Sequence, residues 1–239
     1  MHSTLAIAKR ELVSYFTSPV AYVVTAAFLV IMGLLFGYVL AAPLQYRVAS
    51  LSPVLGSVPV ILLLVAPALT MRLLAEEQRS GTIELLLTAP VRDWEVVGGK
   101  FLASLALFLT MVALTLYYPL ILVTFGNPDL GVLAASYIGV ILIGASFLSL
   151  GLLASSLSQN QVVAAMISFG LILSLWLISF LSGVVTGPGA DIIEYVSIIA
   201  HYGDFMKGIV DSKDVIYYLS IIGGALFLAT RSLETRRWS

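Results

Sequence analysis

The chain reads as long apolar runs separated by short polar breaks, and the runs have the length of membrane helices. A bilayer core of about 30 Å is crossed by about 20 residues at a rise of about 1.5 Å each. Val20–Leu40 meets this without a charge, and Pro19 stands where a first helical turn tolerates proline. Val54–Met71 forms a second span, with kinks expected at Pro59 and Pro67. Phe101–Thr124 forms a third, with Pro119 near its outer end. Leu130 to Ala190 carries no charge and is too long for one helix. The polar stretch Ser155–Gln161 divides it into spans at Val132–Leu153 and Val162–Val185. Val215–Thr230 is the sixth span, short enough to suggest upright packing or snorkelling by Lys213 and Arg231. The expectation is an all-α membrane protein, one domain over residues 1–239, with six transmembrane helices.

Composition agrees. The 239 residues are 60% hydrophobic and 10% charged, against roughly 25% charged in soluble domains. So few charges cannot cover a water-soluble surface of this size, so the bilayer must be the solvent for most of the chain. Net charge of −1 gives no basic field for nucleic acid. Without cysteine there is no disulfide framework, thiol nucleophile or thiolate metal site. Two histidines, His2 and His201, cannot build a histidine-rich metal cluster.

Basic residues give the orientation. With the N-terminus inside, Lys9, Arg10, Arg72, Arg79, Arg92, Lys100, Arg231, Arg236 and Arg237 are cytoplasmic, and Arg47, Lys207 and Lys213 are outside. Nine against three places both termini in the cytoplasm of a multi-pass protein of the cell (inner or plasma) membrane. The first run is longer than a signal-peptide core of about 7 to 15 residues, so it reads as an uncleaved span.

Ahead of it, Leu5, Ala8, Leu12 and Tyr15 or Phe16 recur at helical spacing, with Lys9, Arg10, Glu11 and Ser14 elsewhere on the wheel. This suggests an amphipathic interfacial helix; the same residues also suit a plain basic flank that orients the span. Between spans two and three, Arg72–Arg79 extends the second helix as a polar one. Ser80-Gly81 is a turn signal, and Thr82 is a candidate N-cap for a short helix over Ile83–Leu87. Pro90 stops that helix, and Asp93 is a candidate cap for the next. A compact helix with leucines beside Glu84 can dock in a groove of a partner protein; equally, its leucines can dip into the membrane interface.

No phosphate loop is present. Gly98-Gly99-Lys100 lacks the upstream glycine and is followed by Phe101, so ATP hydrolysis is not expected from this chain, and no cofactor is implied. The six predicted spans contain no ionisable residue, which argues against ion-coupled transport and membrane catalysis. Ser168, Ser174 and Ser179 lack a base on their helix and read as packing serines. Gly33-x-x-x-Gly37, the face of Gly144, Gly151 and Ser155, and Gly223-Gly224 read as close helix contacts. Ala190–Ala200 reads as a short outer-leaflet helix, and His201 as a solvent-facing or capping residue.

The run Glu76-Glu77-Gln78-Arg79-Ser80-Gly81-Thr82-Ile83-Glu84-Leu85-Leu86-Leu87-Thr88-Ala89-Pro90 resembles the segment after the second span in permease subunits of type 2 ABC exporters. Those carry an acidic pair, a basic residue, Ser/Gly-Thr, Glu-Leu-Leu and a proline in this order. Ala8–Leu12, Tyr15–Tyr22, Asp204–Asp211 and Leu233–Trp238 are similar to the subgroup of gliding-motility (Gld-type) and Nos-type permeases. The resemblance implies a short cytoplasmic coupling helix docked on a separate ABC ATPase subunit. Glu76, Glu77, Arg79, Ser80, Gly81, Thr82, Glu84, Leu85 and Leu86 would make or shape that contact. It also implies a second permease subunit, identical or related, with or without a further membrane accessory subunit, and a partly re-entrant cap between spans five and six. A non-transporting membrane anchor or scaffold for a motility or secretion assembly is the alternative.

Overall fold

A computed structural model of the chain describes residues 2–41, 50–82, 91–182 and 195–237. Among them are eleven helices and no strand: α1 His2–Thr17, α2 Pro19–Ala41, α3 Ser52–Gly56, α4 Val58–Thr70, α5 Ala75–Ser80, α6 Asp93–Leu114, α7 Tyr117–Phe125, α8 Leu130–Leu157, α9 Gln161–Ser182, α10 Ile198–Met206 and α11 Ser212–Arg237. Six helical stretches are long and apolar enough to span a membrane: Pro19–Ala41, Val58–Ser80, Asp93–Phe125, Leu130–Leu157, Gln161–Ser179 and Ser212–Thr235.

The breaks have local causes. Pro59 lies in the first turn of α4, where its missing N–H costs nothing, and Ser57 separates α4 from α3. Pro119 removes a donor and crowds the carbonyl four residues back; the helix breaks there, at Thr115 and Leu116, between α6 and α7. The Asp129 carboxylate caps α8 by accepting from Gly131 and Val132 amides at 2.8 and 3.3 Å. The expected polar break after span four is confined to Ser158–Asn160, since Ser155 and Ser156 remain helical.

Several expectations change. The sixth span sits in a longer helix: α11 runs 26 residues from Ser212, so the apolar run Val215–Thr230 is flanked at both ends by helical polar residues. Arg72–Arg79 does not simply continue span two, because turns at 71–74 separate α4 from α5. Asp93 is the first helical residue of α6, and the Glu95 carboxylate accepts the Arg92 amide at 3.1 Å instead. Of the helix expected at Ala190–Ala200, residues 195 and 196 are helical and Ser197 interrupts it; a helix the sequence did not suggest, α10, follows over Ile198–Met206, with Ile198, His201, Tyr202 and Phe205 buried. Residues 183–194 lie outside the described residues.

α8 is the central helix and packs against α4, α6, α9, α10 and α11. Small residues allow this. A Cβ on Gly144 would stand 2.1 Å from the Phe108 ring, and one on Gly151 would stand 2.1 Å from Thr70 Oγ1. The predicted small face of span four is therefore a tight contact. Gly223 and Gly224 are different: nothing lies within 4 Å of a Cβ at either, so they do not make the internal contact expected of them. Gly37 is likewise open, while a Cβ on Gly33 would stand 3.5 Å from the Tyr118 hydroxyl, an ordinary contact.

The alternating helices sort the polar groups into two ends. One, the basic end, gathers α1, α5, the start of α6, the end of α8, the start of α9 and the end of α11. The far end gathers α3, α10 and the start of α11.

Candidate functional site

The basic end is organised around one buried ammonium. Lys100 lies two turns into α6, and no carboxylate stands three or four residues away on its own helix. An ammonium cannot be buried unpaired, and Lys100 is 1% exposed. Its Nζ donates to Glu11 Oε1 of α1 at 2.6 Å and to Glu77 Oε1 of α5 at 2.9 Å. One side chain thus ties three helices together. α1 reaches Lys100 by lying flat on α6: a Cβ on Gly99 would stand 2.8 Å from Ile7 and 2.9 Å from the Thr4 carbonyl.

The rest of α5 is held to its own chain as well. Glu76 accepts from Arg72 Nε at 3.1 Å and from the Gln161 amide of α9. Gln78 is buried and donates to the Ser156 carbonyl at 3.0 Å. Ser155 Oγ accepts from the Leu74 and Ala75 amides, both at 3.0 Å, and donates to the Met71 carbonyl at 3.2 Å. The Tyr15 hydroxyl donates to the Leu69 carbonyl at 2.6 Å. Burial pushes the Tyr15 phenol above its usual range, so it stays a donor at physiological pH. A cavity of about 220 Å³ opens here, with Arg10, Arg72 and Lys100 opposite Glu11, Glu76 and Glu77 on its walls. The charges balance, so the cavity has no net attraction for an anion.

The sequence-predicted site residues therefore divide. Glu76 and Glu77 are braced internally. Arg79, Ser80, Gly81 and Thr82 are exposed beyond the brace. Gly81 has φ +72° and ends α5 in the left-handed region that glycine enters without steric cost. Ser80 and Thr82 hydroxyls lie 2.8 Å apart. Glu84, Leu85 and Leu86, with the helix expected over Ile83–Leu87, lie outside the described residues.

Sequence reasoning missed Lys100, Glu11, Gln78, Ser155 and Gln161 as parts of this assembly. Lys100 carried a signal: a lone cation inside a helical run needs a tertiary partner. The outer faces of α1 are Leu5, Lys9, Val13 and Phe16, all exposed, while Ala8 and Tyr15 turn inward. The wheel that grouped Leu5 with Ala8 and Tyr15 thus mixed two faces.

At the far end, His201 is neither solvent-facing nor a cap. It is 6% exposed and pairs through Nδ1 with Asp214 Oδ1 at 2.6 Å. Both lie in the helices that close that end. Ser174 and Ser179 bond the carbonyls of Leu171 and Trp176, as packing serines do. Among the described residues no group of three or more His, Asp or Glu side chains is placed to hold a metal ion.

No individually curated protein matches the chain. The family model described as ABC-2 family transporter protein matches residues 45–231. That match covers the second to fifth spans and most of the sixth, and leaves out α1 and the last turns of α11 at the basic end. Because it spans well over half of the sequence and the six apolar helices agree with it, the chain belongs to the ABC-2 transporter family and is a multi-pass transmembrane permease.

Proposed function

We propose that this permease is the membrane half of an ATP-driven exporter, worked by a separate ABC ATPase subunit at its basic end. The observation that carries the reading is the Lys100 junction beneath an exposed tip. Glu11, Glu77 and Lys100 join α1, α5 and α6 at one point, and Arg79–Thr82 project beyond it. Force applied to such a tip passes into three helices at once, because the brace is short, buried and charge-assisted. A floppy loop could not transmit it. Residues 76–86 are the coupling segment in this reading, with Glu84, Leu85 and Leu86 completing the contact.

The described basic residues support an orientation with this end in the cytoplasm. Lys9, Arg10, Arg72, Arg79, Arg92, Lys100 and Arg231 cluster there, and only Lys207 and Lys213 of the described residues lie at the far end. Both termini are then cytoplasmic, in the plasma membrane. A second permease subunit completes the pathway, as two membrane halves meet two motor halves in type 2 exporters. The Gld- and Nos-type likeness of Ala8–Leu12, Tyr15–Tyr22, Asp204–Asp211 and Leu233–Trp238 supports membership of that subgroup.

The test is purification in mild detergent followed by reconstitution. An ATPase bearing a phosphate loop and a second membrane subunit should copurify, and vesicles holding the complex should move substrate only with hydrolysable nucleotide. Copurification of motility or secretion proteins with no ATPase and no nucleotide-dependent flux would replace this reading with a membrane anchor.

A further inference from the structure

The far end holds a buried pair of titratable groups that the coupling reading does not use. His201 of α10 and Asp214 in the first turn of α11 are 6% and 0% exposed in their side chains. The imidazole is fixed from both sides. Nε2 lies 2.9 Å from the Tyr195 carbonyl, and Nδ1 lies 2.6 Å from Asp214 Oδ1. A carbonyl can only accept, so Nε2 carries a proton. The Tyr217 ring stacks on the imidazole at 4.0 Å and 23°, and its hydroxyl donates to the Val196 carbonyl at 2.6 Å.

Which side of the short Nδ1–Oδ1 bond holds the second proton follows from the surroundings. Asp214 sits in the first turn of α11, where the helix favours a carboxylate; its Oδ2 is buried without a hydrogen-bond partner, which leaves the imidazole to compensate the charge. Two acceptors around one ring favour the doubly protonated imidazole. We propose that His201 and Asp214 are a proton-holding latch: the imidazolium, gripped between the Asp214 carboxylate and the Tyr195 carbonyl, fastens the Tyr195–Met206 segment onto α11. The latch opens when the imidazolium loses its proton in alkaline medium or the carboxylate gains one in acid.

What it fastens is the closure of the far end. Tyr202 donates to the Leu55 carbonyl at 2.6 Å, Ser52 donates to the Met206 carbonyl at 3.2 Å, and Ser136 donates to the Phe205 carbonyl at 3.3 Å. α10 therefore spans α3, α8 and α11. Phe205 fills the notch at Gly139, where a Cβ would stand 2.7 Å away.

Other titratable groups surround the couple. α11 brings Lys213, Tyr217 and Tyr218; the fastened segment brings Tyr195, Tyr202, Asp204 and Lys207; the turn brings Asp211. α8 brings Tyr137, and α3 and α9 bring none. Burial pushes the Tyr202 phenol above its usual range. Asp204, Lys207, Asp211 and Lys213 form a separate, solvent-side set of ion pairs.

The experiment uses the full chain in lipid nanodiscs with labelled histidine, in a His2→Gln background so that one imidazole reports. Nitrogen NMR shifts should show both ring nitrogens protonated at pH 7. A neutral single-tautomer ring at pH 7 overturns the proposal. Amide hydrogen exchange over residues 198–206 reads the fastening. It should be slow at neutral pH and speed up at both extremes, and Asp214→Asn should speed it at least roughly tenfold at pH 7 and flatten its pH profile. The exposed Asp211→Asn control should leave the profile unchanged. Exchange in the unsubstituted chain that follows only the intrinsic chemical pH dependence also overturns it.

Discussion

Ser155 Oγ accepts the Leu74 amide at 3.0 Å where span two breaks its own hydrogen-bond ladder. The break at 71–74 frees backbone groups inside a protein interior, and one hydroxyl of α8 takes two amides and serves one carbonyl. Helix α5 is aimed by that hydroxyl. Ser155→Ala should leave the Leu74 and Ala75 amides without partners and cost about 1–3 kcal/mol. Thermal or denaturant unfolding in detergent checks this; an unchanged midpoint rejects the role.

Lys100→Met should be more damaging than either carboxylate change. It strands Glu11 and Glu77 beside an apolar chain, and loss of one partner from a buried pair costs about 3–5 kcal/mol. Both carboxylates are about one-fifth exposed, so the low end applies. Glu11→Gln or Glu77→Gln leaves the ammonium one carboxylate and should cost less. The double variant should exceed their sum, because only then is Lys100 unpaired. Additive losses in the unfolding series would mean the three charges act independently.

Gly144→Ala tests the packing of the central helix. The new methyl would stand 2.1 Å from the Phe108 ring, and over-packing costs about 1–3 kcal/mol. Phe108→Leu should recover part of the loss by opening the site. Gly224→Ala, with open space around it, should be tolerated. Equal losses at both positions would contradict the assigned contacts.

Asp211 gives a small pH effect at the start of α11. The Lys213 amide donates to its carboxylate at 3.1 Å, and that bond holds the Asp211 pKa below the usual carboxylate value. A depressed pKa in the fold means the cap is present above the ordinary value near 3.9 and is lost as pH falls through the lowered one. An NMR titration should place the Asp211 midpoint below that of a free aspartate. Asp211→Asn should remove the acid-side loosening of Ser212 and Lys213.

How much of this was legible depends on the range of the interaction. The spans were, because bilayer thickness imposes a run length on the sequence itself, and because prolines and Asp129 punctuate locally. The turn at Gly81 was legible for the same reason, as its positive φ needs glycine. The Gly144 face was legible from its spacing, but Gly223-Gly224 has the same composition and no neighbour. Small residues permit an approach without specifying one. Glu11, Lys100 and Glu77 are 89 and 23 residues apart along the chain, and His201 meets Asp214 only through the fold of α10. Such pairs are set by tertiary placement, which hydrophobic patterning does not encode. The shared feature that could have flagged Lys100 and Asp214 is that each stands at the edge of an apolar run with no compensating charge on its own helix facing the bundle.

The division of the coupling segment yields the sharpest functional test. Glu77 is tied to Lys100 inside the chain, and Arg79 is exposed beyond it. If force enters at the tip and passes through the brace, the two positions must fail differently. Arg79→Ala should leave unfolding within about 0.5 kcal/mol of the unsubstituted chain, yet weaken ATPase binding and nucleotide-driven flux. Glu77→Gln should lower stability, hold ATPase binding and reduce flux per ATP hydrolysed, since the motor still docks but the lever is loose. The measurements are unfolding, copurification with the ATPase and coupled flux in vesicles, made on both variants. Loss of ATPase binding in Glu77→Gln with normal stability would reverse the assignment and put Glu77 itself at the contact. Normal binding and flux in Arg79→Ala would remove the exposed tip from the transmission path.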